Sequence, residues 1–496
     1  MMNRYCILLL LCLLIWGCND TSVVESPQTS KAEQTEVVVE EEVEVAVDVK
    51  VETGYIPFPK GYGYMENLGA LQKATDEGNR KIIREHAWKL WAGIMQPAEG
   101  LGWPLWYTWS NTTAAFKAEN SGKVGDEKSK SNASSGESLK TKNLKNMVNV
   151  DTKTPNYDLP QTVIDKYSGV ITDGSIKDGA NFQNNGDIMV ATESLSQQAM
   201  DNIREKELYL TSTLDALHAK NEPINLVSKF IVTKHMYWPV KAEGITGVPV
   251  WKDNFPDTFP GYAGYEVWDT LVGIDPSGEQ IGNTVKVEFL YGVKDYEKKP
   301  MSTVTAEAKV YGLDDFYYHK ITQDDWDSFD EADKGILDAA SYWANNQPIG
   351  VGDYLISIAM HVNTRELPSW TLQSVWWSDE PDKGQYAANR PELPQATGPW
   401  DHYLLTDDYA VPPNDKGELD IAVNPYIEGV IHPIATSCRN CHVRAGWPTG
   451  STAGTAGYQN PDCPGLLTYL TPESPCLEKI TLTDYSWIIP DRAISE

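Results

Sequence analysis

Residues Gly352–Leu367 read GDYLISIAMHVNTREL, a segment rich in the apolar and β-branched residues that favour a β-strand. The next segment, Ser369–Ser378, reads SWTLQSVWWS and is predicted to continue the same sheet. Successive side chains of a strand point to opposite faces, so Met360 and His361 are expected on opposite sides of this sheet.

Further strands are predicted on both sides of this segment. Phe230–Trp238 alternates, with Lys234 and Met236 on one face and His235 on the other, and Asn283–Val293 and Ser302–Leu313 also have strand character. Two segments have helical spacing, Asn67–Met95 and Thr322–Asn346, and the second begins with a capping signal. We therefore expect an α+β fold with a mostly antiparallel β-sheet body, several helices and a loop-rich C-terminal segment.

The N-terminus has the pattern of an exported protein. Arg4 precedes a short apolar run from Ile7 to Trp16, which is too short to span a bilayer and predicts a signal peptide. The end of this run, Leu14-Ile15-Trp16-Gly17-Cys18, resembles the bacterial lipobox, which implies a lipid on Cys18. Asn19 follows in place of the aspartate that retains lipoproteins at the inner membrane, so an outer-membrane lipoprotein is expected. Simple secretion with cleavage nearby is the alternative.

Two polar segments are predicted to lie outside the folded core. Residues 19–54 form an acidic, repetitive tether without an aromatic residue, and residues 117–145 form a mobile Ser/Lys-rich insertion. The chain is then organised as a signal peptide (1–18), the tether, a body (55–424) that contains the insertion, and a C-terminal segment (425–496).

The charge of the chain restricts its partners. The net charge is −29 over 496 residues, which repels nucleic acid and argues against polyanionic substrates. Such a charge suits a solvated surface or docking to a basic redox partner.

The C-terminal segment contains Cys438-Arg439-Asn440-Cys441-His442, a C-x-x-C-H motif. Two thiols at this spacing can add to the two vinyl groups of one haem, and the adjacent histidine is then the proximal iron ligand. In this motif and in its export signal the chain resembles c-type cytochromes exported as lipoproteins, although the resemblance covers five residues and no narrower family. It implies one covalent haem c, bound through Cys438 and Cys441, with His442 on the iron.

Three other interpretations of the motif remain open at this point. A thioredoxin-like site needs a βαβ unit, which Ile431–Pro448 does not resemble. A zinc site could use Cys438, Cys441, Cys463 and Cys476, but the second pair lacks the spacing of zinc ribbons. A structural disulfide between Cys438 and Cys441 is the third.

The other cysteines can be assigned by elimination. Cys6 and Cys12 leave with the signal peptide, so that Cys463 and Cys476 remain as an even pair in an oxidising compartment. A disulfide between them is predicted to close the short loop beside the haem, with two free thiols as the alternative.

A second axial ligand, if the iron has one, must come from upstream, because residues 443–496 contain neither Met nor His. His361 is the first candidate, since a strand places its side chain rigidly and charged neighbours could orient its second nitrogen. The alternatives on strands, in loops and on a helix are Met360, His235, Met236, His402, His432 and His86. Arg439, Arg444 and Arg365 are candidate partners for the haem propionates, with exposed charge as the alternative for each.

Two functions fit these residues. The first is a lipid-anchored monohaem cytochrome that passes single electrons to a partner protein in the periplasm or at the outer membrane. The second is a haem oxidoreductase or gas-binding protein with an open iron position in an aromatic-lined cavity, which the length of the chain favours. A third and weaker possibility is a body that binds a substrate such as carbohydrate.

Overall fold

The computed structural model describes residues 56–98, 102–118, 156–157, 159–172, 174–176, 178–183, 190–252, 268, 270–291, 293–294, 302–415, 417, 419–428, 437–448 and 469–495. The predicted signal peptide with Cys18, the acidic tether, nearly all of the polar insertion, His432 and Cys463 lie outside these residues. All described residues belong to one compact unit, Tyr55–Glu496. Among them, no helix is both long and apolar enough to cross a membrane.

The main feature of the fold is a seven-stranded sheet. Six strands follow one another across it in the order Ser110–Asn111, Val190–Leu195, Ile231–Val240, Tyr354–Thr364, Thr371–Trp377 and Tyr403–Asp408. The seventh, Tyr318–Lys320, pairs with one end of Tyr354–Thr364. Every pairing in this sheet is antiparallel, as the sequence predicted.

A second sheet of four strands and three small two-stranded ladders complete the β-structure of the described residues. The four strands lie in the order Thr246–Val250, Thr270–Ile274, Ser302–Tyr311 and Thr284–Tyr291, with one parallel pairing, between the second and third. The ladders pair Asn156–Tyr157 with Val293–Lys294, Ile171–Thr172 with Ser175–Ile176, and Gly446–Trp447 with Thr481–Leu482.

Ten α-helices lie in the described part of the chain. They are Leu68–Asp76, Arg80–Ile94, Thr112–Ala115, Gln161–Lys166, Gln197–Glu205, Thr211–Lys220, Gln323–Ser328, Glu331–Asn345, Cys438–His442 and Ile488–Arg492. The predicted α+β fold with a mostly antiparallel body is therefore confirmed.

Each of the two long predicted helices is in fact two helices. The first breaks at Gly78, whose φ of +66° lies in the left-handed region that glycine adopts without strain, and Asn79 caps the following helix. The second begins with the predicted capping box at Thr322 but stops at Ser328, because Asp330 starts a new helix with its own capping box.

The register of the main sheet places one row of polar side chains on a single face. Glu193 lies opposite Lys234, Lys234 opposite His361, His361 opposite Ser374, and Ser374 opposite Thr406. Residues directly opposite on neighbouring strands share a face. We refer to these five residues as the polar row.

The C-terminal segment packs on the face that carries the polar row. Leu195, Phe230 and Leu372 of the sheet region form one buried apolar cluster with Val443 and Leu477 of that segment. Burial of apolar surface at about 25 cal/mol per Å² therefore fixes the C-x-x-C-H motif against the sheet. The opposite face packs on the helix Arg80–Ile94, for example through the rings of Trp91 and Tyr403, whose centroids lie 5.0 Å apart.

Candidate functional site

The C-x-x-C-H motif forms a short helix, Cys438–His442, which we call the motif helix. Ser437 caps it, since its Oγ accepts a hydrogen bond from the backbone N of Asn440 at 3.1 Å. The backbone N of Arg439 donates to Asp408 Oδ2 at 2.9 Å, and the backbone N of Cys438 donates to the Ala422 carbonyl at 3.1 Å. These bonds attach the start of the motif helix to Asp408, the last residue of the strand Tyr403–Asp408, and to Ala422 in the segment that follows it.

The two motif cysteines are free thiols. Their spacing of three residues places them on one side of the helix, and Cys438 donates to the Ala422 carbonyl at 3.1 Å. Burial raises the pKa of Cys441 to about 12 and raises that of Cys438 well above its usual value. Both sulfurs are therefore protonated at neutral pH, and the alternative of a structural disulfide between them is not what this structure contains.

His442 has the hydrogen bonding expected of a metal ligand. Its Nδ1 lies 2.7 Å from the Tyr485 carbonyl oxygen, which can only accept, so Nδ1 carries the proton. Burial lowers the pKa of His442 to about 4, which keeps the ring neutral. Nε2 then has a free lone pair, and a hydrogen bond from Nδ1 to a carbonyl is the usual way in which a ligating histidine is oriented.

His361 lies in the polar row, close enough to the motif helix to lower the pKa of His442. Both of its ring nitrogens have partners. Nδ1 lies 2.6 Å from Ser374 Oγ, and Nε2 lies 2.5 Å from Glu428 Oε1. The side chains of His361 and Glu428 are 15% and 19% exposed, so this pair is mostly buried but not fully shielded from solvent.

Glu428 is a site residue that the sequence did not reveal. After burial, its negative charge also contributes to the raised pKa values of both motif cysteines, so it lies within electrostatic range of them as well as in contact with His361. Asn424, which is fully buried, donates its backbone N to Glu428 Oε2 at 2.5 Å and its side-chain amide to Ser374 Oγ at 2.7 Å. Glu428 follows a loop without periodicity, so only its closeness to Cys438 along the chain could have suggested it.

The contact between His361 and Glu428 occupies the second ring nitrogen. Glu428 Oε1 lies 2.5 Å from Nε2, which leaves no room for a metal ion on that nitrogen. The lone pair of Nε2 is therefore not free while this contact lasts. For His361 to bind iron, it must first separate from Glu428.

The other described histidines that the sequence suggested as distal ligands lie elsewhere, whereas His218, which was not a candidate, contacts the C-terminal segment with its Nδ1 3.1 Å from Thr481 Oγ1. His235 and Met360 are opposite each other on the far face of the sheet, and the ring of His235 stacks on Trp106 at 3.5 Å. His86 bonds Tyr409 Oη through Nδ1 at 2.9 Å, and His402 Nδ1 lies 3.0 Å from the Asp315 carbonyl oxygen. Of the distal candidates that the sequence suggested, the structure brings His361 to the motif helix.

All three arginines suggested as propionate partners have protein partners here. Arg439 donates to the Leu470 carbonyl at 2.6 Å, Arg444 donates to the Asn440 carbonyl at 2.9 Å, and Arg365 pairs with Asp484 at 2.9 Å. Arg439 and Arg444 are buried, so for them the alternative of exposed charge is wrong.

Cys476 is disulfide-bonded, and Cys463 lies outside the described residues, so their pairing stays a prediction. A disulfide-bonded sulfur is not a thiolate, which removes Cys476 from the possible zinc site. Among the described side chains, no group of three or more His, Cys, Asp or Glu is arranged to hold a metal ion.

Comparison with known proteins adds no relative. No protein-family model matches the chain, and neither a curated protein nor a solved structure matches it significantly.

Proposed function

We propose that the chain is a monohaem c-type cytochrome, anchored by lipid, that transfers single electrons in the periplasm or at the outer membrane. The observation that supports this most directly is the state of the motif helix. Two free thiols on one side of it adjoin a neutral histidine whose Nδ1 donates to the Tyr485 carbonyl.

The residues of the motif fit a covalent haem. The thiols of Cys438 and Cys441 would form its two thioethers, and Nε2 of His442 would be the proximal ligand. When bound, haem supplies an iron that alternates between ferric and ferrous by one electron. The protein holds Nε2 in place, covers the motif helix with the apolar cluster around Val443, and carries a net negative charge that suits a basic redox partner.

A second candidate, a haem oxidoreductase or gas-binding protein, is favoured by the contact between Glu428 and His361. In that case the iron would keep an open position, because Glu428 Oε1 lies 2.5 Å from the ring nitrogen that would otherwise fill it. A histidine paired with a carboxylate beside an open iron could also exchange protons with a bound molecule.

The absorption spectrum of the purified protein tests this proposal and separates its two forms. We expect one haem per chain, with a low-spin reduced spectrum and little change when CO is added, as an electron carrier with two axial ligands would give. Rapid CO binding by a high-spin ferrous iron would support the second candidate. A purified chain without haem, after expression with the haem-attachment machinery, would contradict both.

The predicted lipid anchor has its own test, Cys18→Ser. We expect the wild type to partition into detergent and to be labelled by palmitate, and the variant to lose both properties, because only the Cys18 thiol can carry the lipid. Cys12→Ser is the matched control, since Cys12 lies in the same segment but outside the lipobox, and it should behave as the wild type. A wild type that is wholly soluble and unlabelled would show that the lipobox prediction is wrong.

A further inference from the structure

The turn that faces His442 has an unusual backbone. Asp484 and Tyr485 are consecutive non-glycine residues, and both have φ in the left-handed region, at +51° and +63°. Side chains make this region unfavourable, so such residues persist only where surrounding contacts impose them. Two such residues in succession at the contact with His442 indicate that surrounding contacts impose this conformation on the turn.

The conformation of this turn directs a carbonyl at the motif histidine. Tyr485 O accepts the hydrogen bond from His442 Nδ1 at 2.7 Å. On the preceding side, the backbone N of Thr483 donates to the Ala445 carbonyl at 3.0 Å, and Thr483 Oγ1 donates to the Ser486 carbonyl at 2.8 Å. The turn is thus hydrogen-bonded both to the segment that directly follows the motif helix and within itself.

The carboxylate of Asp484 connects this turn by hydrogen bonds to residues outside it. Arg365 Nε lies 3.1 Å and 2.9 Å from its two oxygens, Trp370 Nε1 donates to it at 3.2 Å, and the backbone N of Leu226 donates at 2.8 Å. The side chain of Asp484 is 7% exposed, and charge-assisted bonds of this kind are stronger than neutral ones where water is excluded.

The donors to Asp484 are themselves fixed by the main sheet. Arg365 directly follows the strand Tyr354–Thr364, its backbone N donates to the Phe230 carbonyl at 2.9 Å, and its Nη1 donates to the Leu367 carbonyl at 2.8 Å. Trp370 directly precedes the next strand and is fully buried. The orientation of His442 is in this way set by the ends of two central strands.

We propose that Asp484 is a positioning residue, with Arg365 as its counter-ion, that fixes the tautomer and the ring orientation of His442 by holding the Tyr485 carbonyl in place. This inference rests on the proposed function where it concerns iron ligation. It assigns Arg365 to Asp484 rather than to a haem propionate.

The proposal predicts the direction of a change in redox potential. A strong hydrogen bond from Nδ1 makes the histidine a better electron donor and stabilises ferric iron. Asp484→Asn removes the negative charge and one of the two carboxylate oxygens that accept from Arg365 Nε. The turn then relaxes, and the hydrogen bond from His442 Nδ1 to the Tyr485 carbonyl weakens. We expect the equilibrium constant for reduction of ferric to ferrous iron to rise by about tenfold, which raises the midpoint potential by ~59 mV for one electron.

The experiment uses the haem-loaded protein with three variants. Asp484→Asn and Arg365→Gln should both raise the potential, Arg365→Lys should raise it less because the charge remains, and the exposed Glu478→Gln is the matched control and should leave it unchanged. A second measurement needs no haem. In the Cys438→Ala/Cys441→Ala protein, nitrogen NMR of His442 should show a proton held on Nδ1, and Asp484→Asn should produce a mixture of tautomers.

The outcomes separate this proposal from the function on which it rests. Lower thermal stability with unchanged potential and unchanged tautomer would show that Asp484 is only structural, and would overturn the positioning role. A protein that never acquires haem, but whose His442 tautomer still depends on Asp484, would contradict the proposed function and keep the positioning role.

Discussion

Replacing both motif cysteines, Cys438→Ala/Cys441→Ala, is expected to abolish covalent haem completely. The two thiols are free, lie on one side of the motif helix, and are the thioether-forming groups that the motif supplies. The wild type should keep its haem through acid–acetone extraction and denaturing electrophoresis, and the double variant should be recovered without haem. Each single variant should retain one thioether and a shifted haem spectrum, because one vinyl group then stays unmodified.

The control for this experiment is the other cysteine pair. Cys463→Ser/Cys476→Ser removes the disulfide of Cys476 and should lower stability by a few kcal/mol, within the ~2–5 kcal/mol usual for native disulfides, while covalent haem is retained. Haem that can be extracted from the wild type, or haem that stays attached in the Cys438→Ala/Cys441→Ala protein, would show that the motif is not an attachment site.

The strands of the main sheet could be predicted because their signals are local. The strand Tyr354–Thr364 lies inside the segment predicted from its composition, and Ile231–Val240 has the alternation that placed His235 and Lys234 on opposite faces. The alternation of side chains depends only on the chain itself, so it remains valid whatever packs on the sheet. The helix breaks at Gly78 and Asp330 were missed because the helical spacing continues across both.

The surroundings of the motif helix could not be predicted, since they depend on contacts between distant parts of the chain. His442 meets the Tyr485 carbonyl 43 residues away, and Arg365 meets Asp484 119 residues away. Nothing in the composition near Asp484 marks it as a buried ion-pair partner. Arg365 was instead interpreted as a propionate partner, because a lone arginine in a sequence shows its charge and not its counter-ion.

The state of the iron's sixth position depends on a competition for His361. Its contact with Glu428 is largely buried, with the two side chains 15% and 19% exposed, so separating this pair costs more than separating a surface ion pair. Ligation by Nε2 would have to exceed this cost, and the Glu428 carboxylate would keep the hydrogen bond from the backbone N of Asn424. We therefore keep the prediction from the sequence that His361 is the distal ligand. Its Nε2 would separate from Glu428 when it binds the iron.

Two variants and one control test whether His361 is the distal ligand. In the wild type we expect low-spin ferrous iron that binds CO slowly, and in His361→Ala we expect high-spin iron with CO binding at least about tenfold faster, because loss of a strong-field nitrogen opens the site. Glu428→Gln should remain low-spin and bind CO more slowly than the wild type, since an amide competes less well than a carboxylate for the imidazole. His402→Ala removes a histidine that lies apart from the motif helix, and it should match the wild type.

One result of the same measurements would contradict ligation by His361. If the wild type is already high-spin and His361→Ala changes neither the spin state nor the rate of CO binding, His361 is not a ligand and the iron is open. Glu428→Gln would then alter the chemistry of a bound molecule rather than the coordination of the iron, because the Glu428 carboxylate and the His361 imidazole would both face that molecule. That result would reverse the preference between the two functions, in favour of a haem oxidoreductase or gas-binding protein over an electron carrier.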